Sequence, residues 1–168
     1  PGETERDFEE LCQFVEAAEF DRVGVFRYSD DETSASFALD GKVSAQESYN
    51  RQRRLMALQR KISRRRNRAL VGQRFPILIA GPSAESELLW EGRLPTQAEE
   101  IDGKTFLVEF PDDGPPPGPG DVVTVRILRA DDYDLFGALE SIERRAEPFP
   151  LAPAAVAAFV DGRLPVLQ

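Results

Sequence analysis

The chain has 168 residues, 41% of them hydrophobic, and a net charge of −9, enough for one ordinary domain or a small domain plus a piece of another. With no histidine and a single cysteine, Cys12, it cannot build a histidine-based nucleophilic relay, a thiolate or imidazole zinc site, a self-contained iron–sulfur site or a disulfide framework. The negative charge argues against general affinity for phosphate backbones and suits a basic protein partner.

No apolar run approaches the roughly 20 residues needed to span a bilayer. No signal peptide is evident, and the lone cysteine fits a cytosolic protein. The chain opens on PGETERDF without an initiator methionine. Pro-Gly is a common strand-to-helix turn, so the expectation is a fragment that starts inside an α/β domain.

Thr4 can cap a helix, with Asp7 at the third position. Phe8, Leu11, Cys12, Val15 and Ala18 follow helical spacing and give it one apolar face, on which Cys12 reads as a small core residue. In DRVGVFRYS, Val23 and Val25 alternate before Phe26 and Tyr28, which predicts a short strand. Helix followed by strand suggests the tail of an α/β unit. The polar loop DDETSAS follows.

Ser44 and Glu47 form an S-x-x-E capping box that opens a long helix to about Leu70. Within it, RQRRLMALQRKISRRRNR (51–68) holds nine Lys or Arg and no acid. At 100° per residue, Leu55, Leu58, Ile62 and Ala69 share one stripe, and most of the basic residues lie opposite. Arg51 and Arg66 fall near the apolar face, where their long stems could snorkel. The block reads as the wet face of an amphipathic helix, yet its single sign, with no acid four residues away to offset any of these arginines, has no explanation in the sequence.

From Val71 the texture changes. Phe75–Ile79, Leu88–Leu94, Thr105–Glu109, Val122–Ile127 and Leu135–Leu139 are candidate strands bounded by turn residues, which predicts a small five-stranded barrel of oligonucleotide-binding type. Its charge is one-sided: residues 69–138 hold thirteen Asp or Glu against five Lys or Arg. That sign would repel nucleic acid. After Ile142 the composition turns to Ala and Pro, from which no fold follows.

The ordered set PGETERDFEEL, GVFRYSDDE, RLMALQRKIS, LVGQ, EEIDG, PGD and ADDYDLFG, over roughly residues 1–138, resembles the carboxyl end of the methylthiotransferases, a radical S-adenosylmethionine family. Within the family it is most similar to the bacterial branch that modifies an aspartate of a small-subunit ribosomal protein. The resemblance implies an α/β fragment, the end of a radical barrel, over 1–40. A connecting basic helix over 41–68, a TRAM barrel over 69–140 and an Ala/Pro-rich tail over 141–168 would follow. It also implies a parent enzyme that uses S-adenosylmethionine and two four-iron four-sulfur clusters, whose cysteine ligands are absent here.

By the same resemblance, Gly2 and Glu3 would lie near the adenosyl part of the cofactor, and Phe26 and Tyr28 where the family packs adenine. A plain strand–helix turn and aromatic core roles are the competing readings of these four residues. The family's YSxEEGT stands here as YSDDETS, without its glycine. The acidic barrel suits a lysine- and arginine-rich partner, small-subunit ribosomal protein 12, with Glu99, Glu100, Asp131, Asp132 and Asp134 as candidate docking residues. Contact of the basic helix with ribosomal RNA is a further expectation. A tRNA-modifying enzyme of the family and a stand-alone RNA- or protein-binding module are the alternatives.

Overall fold

The computed structural model describes residues 1–84, 86, 88–98, 101–113 and 115–147. Helix α1 (Glu5–Ala18) and helix α2 (Ala45–Ala69) are joined through an irregular segment with one short 3₁₀ turn, Ala35–Ala38. Five strands follow: β1 (Arg74–Pro82), β2 (Trp90–Arg93), β3 (Thr105–Glu109), β4 (Val122–Ala130) and β5 (Leu135–Arg144). They close into a barrel in the order β1-β2-β3-β5-β4, antiparallel except for β3 against β5. The fold is therefore a helical fragment followed by the expected small all-β barrel.

Both helices begin at the predicted caps. Thr4 and Asp7 form a reciprocal capping box. Ser44 accepts from the Glu47 N–H, but the Glu47 side chain does not return to the cap and instead accepts from Arg51 Nε at 3.1 Å. Arg51 is thus offset by an acid four residues earlier, contrary to the sequence reading that set no acid against these arginines. Phe8, Val15, Leu55 and Ile62 bury between the two helices, with Cys12, Val23, Val25 and Leu58 packed around them. Cys12 is half-buried, and burial pushes its thiol up from the ordinary value.

The stretch predicted as a strand at Val23–Tyr28 carries no ladder. A strand exists through hydrogen bonds to a neighbour, and no described segment lies alongside to provide one. Instead Val25 O accepts from Gln52 Nε2 of α2 at 2.8 Å, and Phe26 is 93% exposed.

In the barrel, period-2 alternation sends Val123, Val125 and Ile127 of β4 inward to meet Ile77, Ile79, Leu107, Leu135 and Leu139. Strands β4 and β5 run on past the predicted ends, because their pairing continues from Ala130↔Leu135 to Val122↔Arg144. The tail expected from 141 therefore opens as strand, and 148–168 lie outside the described residues. Buried Thr105 is satisfied through Gln97, whose amide also bonds the Leu94 N–H and Gly103 O. Among the described residues no helix is long and apolar enough to cross a membrane.

The basic face of α2 joins the two halves. Arg54 pairs with Glu5 and Glu9, Arg65 with Glu19, and Arg66 with Asp21, all on or just after α1. Toward the barrel, Arg64 pairs with Asp132 at 2.5 Å and Arg60 approaches it at 4.0 Å. Asn67 donates to the Asp132 carbonyl at 3.1 Å. Leu70 packs on the barrel core, and Gly72 N donates to Ile127 O, fixing the chain as it leaves the helix. Arg22 reaches Asp102 at 3.1 Å and makes a second crossing from the helical part to the barrel.

A Cβ at Gly137 would collide with the Val125 side chain and lie 2.9 Å from Arg126 O. Gly137→Ala should therefore cost about 1–3 kcal/mol, read as a shift of the denaturant midpoint. Hydrogen bonds hold the Asp132 carboxyl, through Arg64, and the Glu140 carboxyl, through Arg74, below their ordinary values. Folded values below the unfolded ones mean that this stabilisation is complete above those ordinary values and is lost as pH falls through the lowered ones. Unfolding midpoints measured from pH 7 to pH 3 should therefore fall at the acid end, and less steeply in Asp132→Asn.

Candidate functional site

The first residues are held in place by their own chemistry. Gly2 adopts a left-handed φ of 80° and donates its N–H to Gly41 O at 2.8 Å, tying the N-terminal turn to the approach of α2. The Thr4 cap then fixes the start of α1, leaving Glu3 to reach across to α2, where Arg51 Nη1 donates to its Oε2 at 2.7 Å.

A cleft of about 840 Å³ opens between this turn, the irregular segment and α2. Glu3, Phe26 and Tyr28, predicted separately, all line it, together with apolar Phe8, Val25 and Leu55. Gly2 supports the turn and is not in the lining. The Tyr28 hydroxyl donates to Asp30 at 3.1 Å and shares a hydrogen bond with Ser36 at 3.0 Å. Lys42 pairs with Asp30 at 2.6 Å and sits 4.5 Å from the centre of the Phe37 ring. Lys42 is the main cause of an Asp30 carboxyl held below its ordinary value.

Sequence reasoning did not find Lys42, Asp30 or Arg51 at this place. Lys42 and Asp30 are twelve residues apart in a loop, so no periodic signal links them. Arg51 did leave a trace. Residues 51, 55, 59 and 63 form an i, i+4 row, and Arg51, Leu55, Gln59 and Ser63 are all buried. Gln59 and Ser63 use that burial to hold the Phe20 and Asp21 carbonyls at the end of α1.

The chemistry of the lining fits S-adenosylmethionine. An open aromatic ring can stack on a purine, carboxylates can take ribose hydroxyls or an ammonium, and a lysine can take a carboxylate. The volume lies in the usual range for a ligand site. The iron–sulfur clusters do not fit: among the described residues no group of three or more His, Cys, Asp or Glu is placed to hold a metal, and there is one thiol.

Of the residues expected to dock a basic partner, Glu99 and Glu100 lie outside the described residues. The other three have structural work. Asp132 is engaged by Arg64, and Asp131 pairs with Arg129 at 2.6 Å. Asp134 accepts from the Lys104 N–H at 2.8 Å, closing the β4–β5 turn against the Asp102-Gly103 turn. Glu109, Asp112 and Asp113, at the end of β3 and beyond it, are exposed next to exposed Val108 and Phe110.

Residues 71–139 match the TRAM domain family, and the barrel is of that class. The relatives extend the likeness beyond the barrel. Over 92% of its length the chain is 55% identical to the ribosomal protein uS12 methylthiotransferase RimO of Solibacter usitatus, covering 32% of that protein. It is 48% identical to RimO of Sorangium cellulosum over 92% of the chain, and to that of Koribacter versatilis over 83%. The chain spans about a third of the length of these curated relatives, and its similarity to them runs along that third.

The α2–barrel contact can be tested as a pair. In a double-mutant cycle, Arg64→Ala and Asp132→Ala should be non-additive in unfolding free energy, with the double variant little worse than either single one. Strict additivity would mean that the ion pair contributes nothing.

Proposed function

We propose that the chain is the C-terminal part of a radical S-adenosylmethionine methylthiotransferase that adds a methylthio group to the β-carbon of an aspartate in small-subunit ribosomal protein 12. The observation that carries this reading is likeness to uS12 methylthiotransferases over nine tenths of the chain. The cleft adds physical support, because it gathers distant residues whose chemistry matches the parts of one cofactor.

In this reading Phe26 and Tyr28 offer aromatic surface to the adenine, and Glu3 offers its carboxylate to a ribose hydroxyl or the ammonium. Lys42 neutralises the methionyl carboxylate when it releases Asp30. Gly2, outside the lining, shapes the turn from which Pro1 and Glu3 face the ligand. The bound cofactor and clusters supply the radical chemistry, and the clusters are held by residues other than these.

The barrel docks the substrate. A ribosomal protein rich in Lys and Arg is drawn by the surplus of negative charge. Glu109, Asp112 and Asp113 serve this purpose better than Asp131, Asp132 and Asp134, which are spent on the barrel's own contacts. Glu99 and Glu100 remain docking candidates. The acid surplus of the barrel argues against the tRNA alternative, and among the described residues six of the nine basic residues of 51–68 have a carboxylate within 4.0 Å, which weakens the stand-alone RNA-binding reading. That pairing likewise weakens the case for a ribosomal RNA contact.

The test uses the full-length, cluster-loaded enzyme. Phe26→Ala should raise the dissociation constant for S-adenosylmethionine by roughly tenfold, as expected for loss of an aromatic stacking partner. Glu109, Asp112 and Asp113 changed together to Lys should raise KM for the ribosomal protein while leaving cofactor affinity unchanged. A methylthio mass increment on tRNA, with none on the protein, would overturn the substrate assignment.

A further inference from the structure

Arg51 stands apart from the other basic residues of α2. Most of them are exposed at the helix surface, whereas Arg51 is 8% exposed and lines the cleft. Its guanidinium contacts three carboxylates: Glu3 at 2.7 Å, Glu5 at 3.2 Å and Glu47 at 3.1 Å. It also approaches Glu3 O at 3.4 Å and lies 5.4 Å from the centre of the Phe8 ring. The planar fork is thereby held from several sides, and a lysine could not reproduce these contacts with one ammonium.

The arrangement has a consequence for Glu3. This residue precedes the Thr4 cap, in a turn whose backbone is tied to Gly41 alone among the described backbone bonds, and its side chain is half-exposed. Without a fixed partner, such a carboxylate would sample several rotamers. Arg51 takes Oε2 and leaves Oε1 for another partner. Glu47, one turn earlier on α2, holds Arg51 from behind.

We propose that Arg51 is a positioning residue for the cofactor cleft, holding the Glu3 carboxylate in the orientation that meets S-adenosylmethionine and making that orientation depend on α2. Because α2 also carries the Arg64–Asp132 contact, one rigid helix connects the cleft to the barrel that receives the substrate. The inference rests on the cleft being the cofactor site.

The experiment measures equilibrium binding of S-adenosylmethionine to the full-length, cluster-loaded protein, with thermal midpoints taken in parallel. Arg54→Met is the structural control, since Arg54 bridges the same two helices through Glu5 and Glu9 but does not line the cleft. Arg51→Met should weaken binding by roughly tenfold, beyond any change in Arg54→Met, the loss expected for a charge-assisted hydrogen bond. Arg51→Lys should recover only part of it. Glu3→Gln should weaken binding, and adding Arg51→Met to it should weaken it little further, because both act through one carboxylate.

Should Arg51→Met fail to fold, Glu47→Gln loosens the same guanidinium from behind and should weaken binding two- to threefold. If Glu3→Gln weakens binding while Arg51→Met and Glu47→Gln match the Arg54→Met control, the positioning role is wrong and the cleft assignment stands. If neither Glu3→Gln nor Phe26→Ala changes binding, the cleft assignment itself fails.

Discussion

The structure depends on opposite charge meeting across the two faces of α2. Taken alone, a helix with nine cations and no acid between 51 and 68 carries uncompensated like-charge repulsion along its length. Folding relieves this by laying the acidic α1 along one side and the acidic β4–β5 turn of the barrel along the other. Each exposed pair contributes little by itself. Their distribution decides the outcome, because a network that spans the helix sets both neighbours in register with it.

This arrangement also explains why acidic residues on the barrel divide into two groups. Those that meet the helical part are consumed: Asp132 by Arg64 of α2, and Asp102 by Arg22 of the segment after α1. Those at the end of β3 and in the loop after it, Glu109, Asp112 and Asp113, face solvent and keep the barrel's external field negative. The same composition thus serves cohesion on one side and leaves negative charge exposed on the other. Buried Asp121 belongs to neither group. It accepts from the Gly118 and Ala146 N–H groups and from Arg145, closing the proline-rich loop onto the end of β5.

The cleft has a comparable logic. Gly2 and the Thr4 cap shape the turn, the hydrophobic seam of Phe8, Val15, Leu55 and Ile62 sets the spacing of the helices, and Arg51 bridges the gap that remains. Phe26 lies open on this cleft because the segment around it has no strand neighbour among the described residues. Val25 O accepts from Gln52 of α2. Exposure of a large aromatic ring costs hydrophobic stabilisation, and a purine that stacks on it would return part of that cost.

By itself the sequence determined the two helices with their caps, the five strands, the negative sign of the barrel and the order of motifs that marks its relatives. These are local or additive properties: hydrophobic period, capping chemistry, turn residues and charge. Tertiary structure decided which distant acids met which arginines, because ion pairs such as Arg64–Asp132 join residues 68 positions apart and leave no period to detect. The ladder expected at Val23–Tyr28 needs a neighbour, which local alternation cannot supply and no described segment provides. Arg51 lay between the two kinds of information. Its place on the apolar side of α2 was legible from helical spacing, and Glu47 lies one turn away on the same helix, but Glu3 and Glu5 were brought to it by the packing of α1 and the turn before it.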